Sequence, residues 1–361
     1  MHAKQSQQFN LWATGDAHVG SDLKGNRKSL AQAIAQSENP EKGFDWDIMI
    51  DVGDLSGNQG YPKDDEGQEL IRQYKTMKRH HRSQVYNLAG NHDATGPDDP
   101  NTQWWFRKYG DPLGKHTKHS DVDPTKRPFP VQGEWDHYSF QFGNVLVLMM
   151  SDRNDGGPPV GRGARGGYPA GAVTDETFNW WVQQVEANPD KIIISAHHHM
   201  LKETTVGSGE WEGFESRKLN SKGRFPTKYH GYYADGAPKG ASYLYWVGGR
   251  PDAQAFEKYL AEHPGAIDLW IGGHTHTHPD DVVNGRSHIE RKWGVNFVNT
   301  CALAKHHGKR EWQTPMSRLF TFTEDSSELL VRCYLHTDKH ATQGWYEPAQ
   351  RTLKIRHPFK K

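Results

Sequence analysis

The chain is predicted to be an α/β protein whose parallel strands are covered by helices. Three observations predict this. Between residues 10 and 93, apolar strand-type runs alternate with amphipathic helical stretches, which is βαβ order. Five separate runs share one local design, an apolar strand that ends in a short polar loop rich in Asp, Asn or His. Apolar residues make up only 34% of the chain and glycines number 37, which suits short strands feeding long polar loops better than an all-helical body.

The first strand, Asn10 to Thr14, ends in the loop GDAH, and Asn26 is placed to cap a helix with Leu30, Ala33 and Ile34 on its apolar face. A second strand, Asp47 to Val52, runs into GDLSGN. Leu70, Ile71, Tyr74 and Met77 then recur at helical spacing within Asp64 to His80. A third strand ends in GNHD. The polar stretch from Ala94 to Glu134 reads as a surface excursion. Two strands follow, His137 to Phe142 and Asn144 to Met150, around a tight turn at Gly143. After the Gly-rich loop Asp152 to Gly171, Thr174 is set to cap a helix through Val185, with Asp175 and Glu176 in its first turn. The strand IIISAHHH (192–199) leads into the irregular stretch Lys202 to Arg250, expected to be a cap over the site. A short helix, Ala253 to Glu262, precedes IDLWIGGHTH (267–276). The remainder, 293–361, is strand-like. We expect one domain over 1–361 with a cap insertion at 202–250.

Composition narrows the function. Lys plus Arg (44) equals Asp plus Glu (44), so no overall field draws nucleic acid or an anionic membrane, and any bound anion must be gripped locally. Cys301 and Cys333 are the only cysteines, which excludes a disulfide framework and a thiolate metal cluster; both are expected as buried free thiols. No run approaches the roughly 18 apolar residues of a membrane span. The start, MHAKQSQQFN, lacks the apolar core of a signal peptide. A cytoplasmic location is expected on that ground, with a mature exported form as the alternative.

There are 22 histidines, so a site must be argued from spacing rather than from any one of them. His274 and His276, two apart in an extended segment, point to one side, which is metal-ligand spacing. The five loops lie past the carboxyl ends of strands, where open α/β sheets gather ligands. Asp16, His18, Asp54, Asn91, His197, His274 and His276 together mix hard oxygens with imidazole. That set suits Mn, Fe or Zn and suits neither Ca nor a thiolate site. It is enough for two divalent ions if one carboxylate bridges.

GDAH, GDLSGN, GNHD, IISAH and GGHTH, in this order, resemble the motif series of the calcineurin-like metallophosphoesterase superfamily, from the first strand to His276. The resemblance implies a four-layer α/β/β/α sandwich of two mixed β-sheets flanked by helices, here with long loop insertions. It implies that Asp16, His18 and His276 hold one metal, that Asn91, His197 and His274 hold the other, and that Asp54 bridges. His197 is chosen because Ile194 to His197 is similar to the family's apolar-x-x-His motif; His198 and His199 are the alternative registers. The implied activity is hydrolysis of a small phosphomonoester or phosphodiester by a metal-bridging hydroxide. Two divalent ions less two carboxylates leave a formal charge of about +2, enough to hold a phosphate without a basic patch. His92, following Asn91, would stabilise a phosphoryl oxygen or protonate the leaving group. Gly57 and Asn58 stand where several relatives carry a second acidic residue, which leaves Asp93 as the substitute to orient His92. Gly57 also stands at the position of the iron-binding tyrosine of purple acid phosphatases, against that subtype. Arg153, just after a strand, is expected to clamp a substrate phosphate. The alternatives are a nuclease on the same core, which the neutral charge disfavours, and a non-catalytic scaffold that binds through its aromatic cap, although no ligand is missing.

Overall fold

The computed structural model describes residues 7–24, 28–42, 44–58, 60–94, 103–154, 170–209, 243–300, 302–304 and 314–361. Two seven-stranded mixed sheets dominate. In the first, Gln8–Thr14 pairs in parallel with Ile48–Asp51, which pairs in parallel with Val85–Asn87. On its other side Gln8–Thr14 meets Met316–Thr323 antiparallel, followed by Glu328–Leu335. In the second sheet Leu269–Gly272 lies between Ile192–His197 and Val295–Asn299, parallel to both. Val145–Met150 extends that parallel set, and His137–Phe142 joins it antiparallel.

Two-residue alternation within the strands makes the layers. Leu11, Ala13, Ile48 and Ile50 of the first sheet share one core with Val147, Ile194, Ala196 and Ile271 of the second. The intervening residues point the other way. Trp12 and Met49 pack with Leu30, Ile34, Leu70 and Phe106 of the helices on the first sheet's outer face. Ile193 and Trp270 pack with Trp181, Val185, Phe256 and Leu260 of the helices on the second. The result is the expected helix, sheet, sheet, helix stacking. Among the described residues no helix is long and apolar enough to cross a membrane.

Several local expectations change. The helix expected to reach His80 stops at Tyr74. Past the helix end, the Glu38 carboxylate accepts the backbone N–H groups of Lys78, Arg79 and His80 at 2.7, 3.1 and 3.0 Å, and so satisfies donors that no longer have helical partners. The excursion from Ala94 to Glu134 contains a helix, Trp104–Tyr109, that buries Trp105 and Phe106 against the helix Asp64–Tyr74. Thr174 caps Asp175–Ala187 as expected, its side chain accepting the Thr177 N–H at 3.1 Å. Cys333 is a buried free thiol. Asn26, Cys301 and most of the stretch expected to be a cap (210–242) lie outside the described residues.

One turn brings the first sheet's loops together. Gly53 follows Ile48–Asp51 with φ of +93°, and a methyl on it would strike the backbone of Gly90; a methyl on Gly90 would strike Asp54. The GD and GN motifs are thus in backbone contact. Gly53→Ala is expected to cost about 2–4 kcal/mol, combining left-handed strain with overpacking. A urea midpoint unchanged from the wild type would refute the close approach.

Candidate metal centre

The loops at the strand ends are laced to one another before their side chains meet. Asp16, His18 and Val19 donate backbone N–H groups to the carbonyls of Gly53, Asp54 and Leu55 at 2.8, 3.0 and 2.8 Å. Gly273 N–H donates to the His198 carbonyl at 2.8 Å, which ties the GGHTH loop to the end of Ile192–His197. This lacing holds Asp16, His18, Asp54, His274 and His276 at φ of 56°, 44°, 54°, 69° and 47°. Each such left-handed non-glycine residue costs roughly 1–3 kcal/mol, so surrounding structure must impose it.

The side chains then converge. The Asp54 Oδ2 atom lies 3.2 Å from His198 Nε2 and 3.5 Å from His18 Nε2, so a single oxygen faces both halves of the cluster. Its Oδ1 accepts the His92 N–H at 2.8 Å. Asp16 Oδ1 is 3.0 Å from His276 Nε2, and its Oδ2 accepts the His274 N–H at 3.1 Å. Ring nitrogens meet in pairs, His18 Nε2 with His276 Nε2 at 3.1 Å and His198 Nε2 with His274 Nδ1 at 3.2 Å. Asn91 Oδ1 is buried and accepts no hydrogen bond among the described residues. All these groups are buried.

Burial alone would raise the Asp16 carboxyl, but His276, His18 and His198 outweigh it and hold the group well below the usual carboxylate range. Burial is likewise outweighed at Asp54, by His198 and His92. His198, which burial would make less basic, is pushed up to about 10 by Asp54 and Asp16. Buried carboxylates among converging imidazole lone pairs demand positive charge, and a divalent ion satisfies that demand as protons do. Groups of three donors within 4.8 Å of one another include Asp16, His18 and His276, and also Asp16, Asp54 and His198. The donor set fits a pair of divalent ions.

Three of the expected site residues, His197, Asp93 and Arg153, make contacts other than those expected. His198, not His197, reaches the two carboxylates. Ile192, Ile194 and Ala196 face the inter-sheet core, so the next residue of that parity is His198. His197 follows the opposite parity, and its Nδ1 accepts the His199 N–H at 2.9 Å. Asp93 does not serve His92. It ends a 3-10 turn, and its carboxylate turns back to accept the N–H groups of Gly90 and Ser56, both at 2.8 Å. Burial, and then the nearby Asp54 charge, push the Asp93 carboxyl up to about 8. The His92 ring is oriented instead by the Asn58 carbonyl, 2.7 Å from Nδ1. A carbonyl only accepts, so Nδ1 is the nitrogen that carries the proton in the neutral ring. Arg153 donates to Asp136 Oδ2 at 2.7 Å and lies over the Trp135 ring, contacts that the expected phosphate clamp did not include. Residues that motif reasoning missed are Asp152, 2.9 Å from His199, and Asn154, whose Nδ2 donates to the Asn91 carbonyl at 2.6 Å. Loop side chains of this kind leave no periodic signal.

A family model described as calcineurin-like phosphoesterase matches residues 9–278, well over half of the 361. No curated protein matches in sequence. Among solved structures, a dimetal phosphatase from Danio rerio is similar at 10% identity with a TM-score of 0.49, over 96% of this chain and 99% of that one. The sulfate thiohydrolase SoxB of Thermus thermophilus, solved with glycerol, is similar at 10% identity with a TM-score of 0.40, over 97% of this chain and 60% of that one.

Proposed function

The chain belongs to the calcineurin-like phosphoesterase family, and from that premise we propose that it hydrolyses a small phosphoester at a centre for two divalent ions. Asp16, His18 and His276 would hold one ion and Asn91, His198 and His274 the other, with Asp54 between them. The observation that carries the proposal is Asp54 Oδ2, a single buried oxygen within 3.5 Å of imidazoles from both halves of the cluster. Bound there, such ions supply charge for the phosphoryl oxygens and an acidified water.

The protein's own part is to hold donors rigid, keep bulk water out and deliver a proton. His92 Nε2 is the group that would hand a proton to the leaving oxygen, because the Asn58 carbonyl fixes the ring through its other nitrogen. Its position on the Asn91–Asp93 turn, with its N–H on Asp54, puts it against the same carboxylate that would bridge. A small-molecule substrate is preferred because equal numbers of cationic and anionic residues provide no long-range pull on a polyanion.

Protein stripped with chelator is expected to lose turnover of p-nitrophenyl or bis-p-nitrophenyl phosphate and to regain it with Mn²⁺ or Zn²⁺. Two ions per chain by elemental analysis, with no turnover across a broad phosphoester panel, would overturn the reading.

A further inference from the structure

The ring following His198 is unexplained by the ligand set above. Ligand-capable atoms of His198, His199 and His274 all lie within 4.8 Å of one another, and all three residues are buried. The His199 and His274 ring centroids are 3.9 Å apart at an interplanar angle of 38°. Behind His199, Asp152 Oδ2 stands 2.9 Å from Nδ1, at ion-pair distance although not aligned as a hydrogen bond. The carboxylate is itself fixed, accepting the Gly171 N–H at 2.7 Å and the Asn154 N–H at 3.0 Å.

We propose that His199 is an additional ligand of the ion on the Asn91, His198 and His274 side, with Asp152 as the carboxylate that orients its ring. This rests on the dinuclear reading above. Imidazole ligands regularly turn their second nitrogen to a carboxylate, which fixes the tautomer and raises ligand basicity. Asp152 offers that partner from the loop after Val145–Met150. The same loop fixes Asn91 through Asn154, so one short segment orders two donors of one ion. Three imidazoles and one amide oxygen make this side richer in nitrogen than the other, where Asp16 contributes a carboxylate. Such a set favours Zn²⁺ over the harder Mn²⁺. The two sites would thus differ in preference.

The test is a Zn²⁺ titration of chelator-stripped full-length protein by calorimetry, with elemental analysis after dialysis and circular dichroism as the folding control. Wild type is expected to bind two ions. His199→Phe keeps a ring against His274 but has no lone pair; it should retain one ion at wild-type affinity and bind the other at least about 100-fold more weakly. Asp152→Asn should weaken that same ion by about 10- to 100-fold. It serves as the second variant if His199→Phe does not fold. Two ions bound by His199→Phe as tightly as by wild type would overturn the assignment and leave the dinuclear centre standing. A wild-type protein that binds no ion would instead sink the dinuclear reading itself.

Discussion

Asp54→Asn is expected to reduce kcat/KM by a factor on the order of 10⁴ or more, equivalent to roughly 5 kcal/mol of transition-state stabilisation. The residue is buried at the meeting point of the two donor groups, with Oδ2 at 3.2 Å from His198 and 3.5 Å from His18. The amide preserves shape and volume, and its oxygen still accepts the His92 N–H that Oδ1 takes now. It removes a negative charge, however, and turns an NH2 toward His18 and His198, where a bridging acceptor is needed. Metal content should fall below two per chain while circular dichroism stays unchanged. A variant that keeps both ions and turns over within tenfold of wild type would show that Asp54 does not bridge.

His92→Ala should lower kcat by about 10²–10⁴ with metal content retained. The leaving group separates proton donation from structural support. An alkyl phosphoester, whose poor leaving group needs a proton, should suffer near the top of that range. A p-nitrophenyl ester, whose leaving group departs as a stable anion, should suffer near the bottom. Equal losses on both substrates would remove the proton-donor role and point to an electrostatic or positional one. The ring's other nitrogen is bound to the Asn58 carbonyl, so Asn58→Ala, which keeps that carbonyl, should be much milder than His92→Ala.

The layers were legible because strand alternation is a property of consecutive residues. Leu11 and Ala13 against Trp12, or Ile192 and Ile194 against Ile193, assign faces without any knowledge of the rest of the fold. The same alternation, carried from Ile194 through Ala196, reaches His198 rather than His197, whereas the motif template alone points to His197. Other features depended on partners remote in sequence. The turn that follows the helix end at Tyr74 is held by Glu38, more than thirty residues upstream. The Asn58 carbonyl that orients His92 is a backbone atom, identical in every residue type, and so leaves no trace in composition. The contacts of Arg153 with Asp136 and Trp135 likewise come from another strand end and leave no mark in its own motif.

The five left-handed residues of the centre bear on any attempt to transplant it. Asp16, His18, Asp54, His274 and His276 keep that backbone only because neighbouring loops supply acceptors and donors at the right places. Copied as short peptides onto a foreign sheet, they would relax toward right-handed or extended geometry and scatter their side chains. A graft would have to import the adjoining turns as well, Gly53 and Gly90 among them, so the smallest portable unit is a pair of neighbouring strand ends rather than a motif.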